Sequence, residues 1–423
     1  MKGARGHNAR ISLALFACTV ILLSVEFLPP LPVYLQLNSS LAVGTISASC
    51  IAIILAIVSK SLTGEFPSTR SVLDFDASQI VFATALLLCI VVHGIVASIL
   101  FPVDFRRFSL SLIPVVLLLG GSFGISRILR RATTFEIHTA TWICFWIFIA
   151  IILLRLLRAE PSASIFRKAM FPFTETSHFA LAFGAVYLYR CTSAPRRNQL
   201  MWILFGFLLT IVLKSATFAV FAFCAAILCR RLLITTLSGF FALSAGAATH
   251  LSYFTSRADI SSHSSNVSAL VYAQGWAFLV HSLAISRGWG IGFQQLGTQR
   301  YGLAVSNVIR AANDGVWLNT KDGGFLLSKL GSEFGIFGIV IAVAYIVVCL
   351  NSILRIRRSK RINHETFARC VIIAFGVDLF IRGMGYFYGS TLLFLGCLFS
   401  VFPVYKILRH GSNSRSGGGV VLR

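Results

Sequence analysis

Twelve long, nearly uncharged apolar runs dominate the chain, near residues 11–28, 41–59, 79–101, 109–126, 137–156, 178–190, 199–213, 216–229, 232–248, 332–353, 366–382 and 389–406. Inside a bilayer no water satisfies a free backbone N–H or C=O, so only helices and closed barrels can span it. The runs are continuous rather than alternating, which argues for helices over barrel strands. The pattern predicts an all-α polytopic membrane protein with about twelve transmembrane helices. Composition agrees: 57% hydrophobic and 12% charged residues, with a mean hydropathy of +0.83, leave too little polar surface to wrap a soluble globule of 423 residues.

Several runs fall short of the roughly 20 residues a crossing helix needs. The pair flanking Lys214, Ser215, Ala216 and Thr217 is the clearest case and predicts broken or re-entrant helices. The basic start, Met1 to Arg10, has no small-residue cleavage site before Pro29 and Pro30, so it reads as the lead into an uncleaved first span.

The formal charge of +23 sits in short clusters between apolar runs, not on a soluble face with interleaved aromatics, so it reports topology rather than nucleic-acid binding. With the N-terminus cytoplasmic, the inner segments carry 23 of the 37 Lys and Arg residues, as the positive-inside rule requires. The clusters at Arg127/Arg130/Arg131, Arg196/Arg197, Arg230/Arg231 and Arg355 to Arg361 close short inner loops. Both termini are then cytoplasmic. Residues 1–410 form one transmembrane domain with outer loops at 157–177 and 249–323, and 411–423, rich in Gly and Ser, is a disordered tail.

Several chemistries are excluded or disfavoured. No P-loop sequence occurs. The glycines at 288, 290, 292 and 297 miss the dinucleotide fingerprint because Gln295 stands at its third glycine. No HExxH or CxxC pattern points to zinc, and the ten scattered cysteines define no disulfide framework. Asp74-Phe75-Asp76 resembles a metal-holding D-x-D, but in a short loop it reads as a solvated turn. No metal and no cofactor is expected.

Two outer segments carry the candidate chemistry. In Phe173-Thr174-Glu175-Thr176-Ser177-His178, an acid and a histidine three residues apart share a helical face and suit acid/base work. The same residues also suit a structural role, with a threonine capping the helix and His178 bonded internally. In the long loop, Arg257, Arg287 and Arg310, with hydroxyl, amide (Gln294) and aromatic groups, suit a phosphate-bearing sugar, since guanidinium groups pair bidentately with phosphate oxygens. An ordinary solvated loop is the plain alternative. Lys214 and Arg382, at outer span ends, must be paired, snorkelling or functional. Lys329 and Glu333, one turn apart, suggest an ion pair.

Phe173 to Leu181, Gly288 to Gly297, Asp322 to Gly335 and Phe380 to Phe387 resemble motifs of the Wzy-type O-antigen and exopolysaccharide polymerases. One departure is Thr176, where the family's Glu-Pro-Ser-His pattern has proline. The resemblance covers about residues 170–390. It implies a GT-C-like membrane bundle, similar to the O-antigen ligases, that polymerises undecaprenyl-pyrophosphate-linked oligosaccharide at the periplasmic face of the bacterial inner membrane, without metal or nucleotide. Glu175 or His178 would be the base, and Lys214, Arg257, Arg287, Gln294, Arg310 and Arg382 would hold pyrophosphate and sugar. Membrane lipids and a chain-length regulator are the implied partners. An O-antigen ligase, or a lipid-linked oligosaccharide flippase or transporter, is the alternative. The long outer loop disfavours a transporter.

Overall fold

A computed structural model describes residues 2–37, 41–62, 77–157, 169–230, 266–298, 303–312, 315–359 and 364–402. The described residues are helical, with no strand beyond an isolated pairing of Met170 with Phe173. Helices α1 (Lys2–Phe27), α2 (Leu31–Tyr34), α3 (Ala42–Leu62), α4 (Ala77–Leu100), α5 (Phe105–Arg131), α6 (Thr134–Leu156), α7 (Thr176–Ser193), α8 (Arg196–Val212) and α9 (Ala216–Leu228) come first. They are followed by α10 (Val267–Ile285), α11 (Ala304–Ala312), α12 (Leu326–Phe334), α13 (Ile336–Arg358), α14 (His364–Phe380) and α15 (Gly389–Val401).

Six of these helices are long and apolar enough to cross a membrane by length and composition: α3, α4, α5, α6, α10 and α13. The chain is thus a helical, polytopic membrane protein. Eleven of the apolar runs coincide with described helices, and the run at 232–248 lies outside the described residues. One helix outside the twelve runs is α10, built on the apolar cluster Val271 to Leu283. Its 19 residues fall inside the stretch 249–323 read from sequence as a loop, because Ser268, Gln274, Ser282 and His281 dilute its hydropathy.

Polar side chains fix where helices begin. Asp104 caps α5 by accepting from the Arg107 N–H at 2.9 Å. Thr133 and Glu136 form a reciprocal capping box at the start of α6, leaving a two-residue turn after α5. Helices in lipid gain little from hydrophobic association with each other and depend on close packing at small residues. At Gly121 and Gly124 of α5 an added Cβ would lie 2.8 Å from Ser49 Cα and 2.7 Å from the Ala52 carbonyl oxygen of α3.

The centre of the bundle is α7, buried along nearly its whole length from His178 to Cys191. Phe179 and Phe183 on α7 interlock with Phe27, Phe148 and Phe173, with neighbouring ring centroids 5.0–6.4 Å apart. This aromatic packing fixes the height of both ends of α7.

Between α12 and α13 the chain breaks at Gly335, where φ is +60° and ψ is −134°. There a side chain would meet the Gly288 carbonyl and the Trp289 backbone, while the Ile336 N–H donates to the Gly288 carbonyl at 2.8 Å. Gly335→Ala is expected to cost about 1–3 kcal/mol of backbone strain, plus this lost approach. Thermal unfolding of the detergent-solubilised protein, followed by size-exclusion chromatography, should show the loss. Gly315→Ala should lose less, since Gly315 also has positive φ but open space around its Cβ position.

Candidate functional site

The N-terminal end of α7 is entered through a tight turn around the cis Phe171–Pro172 bond. Glu175 occupies the cap position without capping the helix through its side chain. Its Oε2 instead accepts from Arg382 Nη2 at 3.0 Å and from the Ser177 hydroxyl at 3.0 Å. Glu175 keeps 43% of its side-chain exposure, against 15% for Arg382. His178 is buried: its Nδ1 shares a 2.9 Å hydrogen bond with the Thr174 hydroxyl, and its Nε2 has no partner among the described residues. The accessible acid and the enclosed imidazole therefore differ in what they can do. Glu175 can meet a ligand directly, and His178 stands behind it.

Arg382 follows α14 in a turn held by Gly383, whose N–H donates to the Gly324 carbonyl at 3.1 Å. A Cβ at Gly383 would lie 2.7 Å from the Leu326 nitrogen, and one at Gly385 would lie 2.9 Å from Asp322 Oδ1. The segment 381–387 thus rests on the entry to α12.

Lys329 lies there, 2% exposed. Its ammonium does not bridge to Glu333 as the one-turn spacing suggested. It donates to the Lys321 carbonyl at 2.8 Å, to Asp322 Oδ1 at 3.4 Å and to Gln294 Oε1 at 3.5 Å, and lies 5.2 Å from the centre of the Tyr386 ring. Glu333 turns one oxygen to the Leu296 N–H at 3.2 Å. Its other oxygen faces the Tyr386 hydroxyl, and the two buried groups interact with each other.

The glycine-rich stretch after α10 is fastened along its length. Ile291 and Gly292 donate backbone N–H groups to the Ser332 and Glu333 carbonyls at 3.0 and 2.9 Å. His93 Nε2 lies 3.0 Å from the Trp289 carbonyl, and the two rings stack 5.4 Å apart. Gln295 accepts from the Asp104 N–H at 2.9 Å and returns a 3.3 Å bond to the Asp104 carbonyl. The positive φ values at Gly288, Gly290, Gly292 and Gly297 let this path run against α12 and α13.

The fold thus brings together Glu175, His178 and Arg382, and beside them Gln294 and Lys329. Gln294 is buried and committed to Lys329. Lys214 is exposed in the turn between α8 and α9, with φ of +48°. Arg287 and Arg310 do not form one cradle. Arg310, whose Nε donates to the Gly315 carbonyl at 3.2 Å, belongs to α11, which packs through Ile309 on Leu270 and Val271 near the start of α10. Arg287 is exposed just past the other end of α10. At 1.5 Å rise per residue, Val271 and Arg287 are about 24 Å apart along that helix. Arg257, Asp74 and Asp76 lie outside the described residues.

A second polar group went unremarked in the sequence. Glu26 at the end of α1 and Asp378 at the end of α14 are both buried and interact electrostatically with each other. Asp378 accepts from the Ser390 hydroxyl at 2.9 Å, and the Tyr388 hydroxyl near both acids is buried with no partner among the described residues. Neither acid forms an ion pair among the described residues. The signal was available: each is an acid within an otherwise apolar run, where a charge is costly and usually functional.

Among the described residues no group of three or more His, Cys, Asp and Glu side chains is arranged to hold a metal ion. Comparison with family models, curated proteins and solved structures finds no match for the chain.

Lys329→Met keeps volume but strips the Lys321 carbonyl, Asp322 and Gln294 of their donor. Breaking a buried polar cluster in this way is expected to cost about 3 kcal/mol. Arg287→Ala, on an exposed side chain, should stay within about 0.5 kcal/mol. Paired denaturation curves in detergent give both numbers.

Proposed function

We propose that the chain is a metal-independent glycosyltransferase that polymerises polyprenyl-pyrophosphate-linked oligosaccharides at the periplasmic face of the bacterial inner membrane, building O-antigen or exopolysaccharide. The observation that carries this reading is the convergence of the stretches around 173–181, 288–297, 322–335 and 380–387, with an accessible acid, Glu175, set against Arg382. These stretches are the ones that resemble the polymerase motifs. The chain has helices suited to a membrane, where such a lipid-linked substrate resides.

In the proposed reaction an acceptor sugar hydroxyl attacks the anomeric carbon of a second lipid-linked chain. The new C–O bond forms as the bond to undecaprenyl pyrophosphate breaks, with inversion at that carbon. Glu175 takes the hydroxyl proton, the departing pyrophosphate carries the electron pair, and Arg382 meets its developing charge. The Glu175–Arg382 pair lets arriving pyrophosphate exchange with the carboxylate for the guanidinium. His178 orients the turn through Thr174. Lys214, Arg257, Arg287 and Arg310 engage more distant phosphate or sugar groups.

Purified protein in detergent, given lipid-linked oligosaccharide, should lengthen the glycan without added metal or nucleotide. Glu175→Gln and Arg382→Gln should each slow lengthening by about 100-fold or more while leaving the protein monodisperse. Undiminished polymer from both variants would remove this site.

The buried pair Glu26 and Asp378 favours a second reading, a transporter of lipid-linked oligosaccharide, because intramembrane acids without a basic partner are typical of coupled transport. Activity that appears only in sealed proteoliposomes, and disappears in Asp378→Asn, would select it.

A further inference from the structure

At the opposite end of α7 from Glu175, a distance of about 22 Å along the helix axis, Arg190 is 7% exposed. A buried guanidinium carries a large desolvation cost and is ordinarily matched by a carboxylate or a set of carbonyl acceptors. Arg190 has neither among the described residues. Its Nη1 lies 3.4 Å from both ring nitrogens of His138, too long and too evenly shared for a good bond to either, and its Nε has no partner among the described residues. The side chain is held by an aromatic face instead: its central carbon lies 4.0 Å from the centre of the Trp142 ring.

His138 and Trp142 are four residues apart on α6 and so share one face. Trp142 continues outward into Trp146 and Trp202, with ring centroids 5.5 and 6.3 Å away, and Trp146 is 54% exposed on the outside of the bundle. The Tyr189 hydroxyl, next along α7, is also buried with no partner among the described residues. This end of the bundle is rich in arginine: Arg130 and Arg131 end α5, Arg196 and Arg197 open α8, and Arg230 donates to the carbonyl of Arg357 at the end of α13, while the acids here, Glu136 and Glu365, are engaged in the α6 capping box and with Arg369. The features together are a cation held in place by aromatic packing, its Nε without a partner among the described residues, behind an outer surface that carries Trp146 and among several other arginines. Basic pockets between membrane helices, flanked by interfacial aromatics, suit anionic phosphate headgroups.

We propose that Arg190, with His138 and Trp142, binds the phosphate of an anionic membrane lipid between α6 and α7. The phosphate oxygens complete the guanidinium's hydrogen bonds, and the acyl chains lie along Trp146 and the outer face of α6. The proposal is independent of the glycosyl-transfer reading, since it concerns the other end of the bundle.

The test is lipid binding to the full chain in detergent, measured as thermal stabilisation by cardiolipin or phosphatidylglycerol relative to phosphatidylcholine, with inorganic phosphate as a separate arm. Stabilisation by the anionic lipids is expected for the unaltered protein and for Arg196→Gln/Arg197→Gln. Arg190→Gln should bind them about tenfold more weakly, with Arg190→Lys between. If Arg190→Gln does not fold, Trp142→Leu, which removes the supporting ring but keeps the charge, carries the same expectation. Brominated phosphatidylglycerol should also quench tryptophan fluorescence more than brominated phosphatidylcholine does, and Arg190→Lys should narrow that difference. Equal stabilisation of the unaltered protein by phosphatidylcholine, or a lipid effect that follows Arg196 and Arg197 instead of Arg190, overturns the proposal. So does an Arg190-dependent response to inorganic phosphate with none to lipid, which would assign the site to a soluble anion.

Discussion

Everything at the two ends of the bundle depends on α7 being enclosed on all sides. A helix buried all round has no solvated face on which to place polar groups, so its polar residues collect at its termini. Glu175 and His178 lie at one terminus and Arg190 at the other. The aromatic packing of Phe179 and Phe183 against Phe148 and Phe173 sets the axial position of both. Lipid supplies little force to press such a helix into place, so close contact must do it. Gly184 serves this on α7, where the Phe221 ring of α9 occupies the space a side chain would need.

Around that fixed post, irregular backbone is permitted only where it is covered or satisfied. The stretch from Arg287 to Thr298 and the turn from Asn319 to Gly324 meet this condition through Lys329, Glu333, His93 and Gln295. Lys329 is therefore as much a fastener as a charge. Its ammonium gathers a carbonyl, a carboxylate and an amide from two loops that are far apart in sequence. The cluster thereby anchors the segment that follows Arg382, which meets Asp322 and Lys329 at Gly385.

The helical, membrane-suited character of the chain was legible from run length alone, and eleven of the twelve runs coincide with described helices, six helices being long and apolar enough to cross a membrane. The helix Val267–Ile285 was harder to see. Four polar side chains dilute its hydropathy, and two of them, Gln274 and Ser282, are buried within the protein, where Gln274 donates to Ser306 at 2.8 Å. A hydropathy pattern cannot tell a polar residue facing a neighbouring helix from one facing water. The candidate site was legible in its residue types but not in its pairings. Arg382 was expected to need a partner, yet nothing in the spacing of 207 residues names Glu175. Lys329 and Glu333 looked like a pair because they are one turn apart, and tertiary contacts with Lys321 and Leu296 redirected both. Arg287 and Arg310 seemed neighbours only because they are close in sequence, before a helix was known to separate the places where they sit.

Gln295 gives the sequence and the structure different meanings at one position. As the residue that interrupts a glycine fingerprint it is only a mismatch. In the fold its carboxamide acts as a stand-in peptide unit, accepting from the Asp104 N–H and donating to the Asp104 carbonyl as the next strand of a sheet would. A glutamate of the same length would set an acceptor against that carbonyl and lose the donor, so the position demands an amide. The chain thereby seals an exposed backbone edge with a single side chain, and spends no further segment of polypeptide to do so.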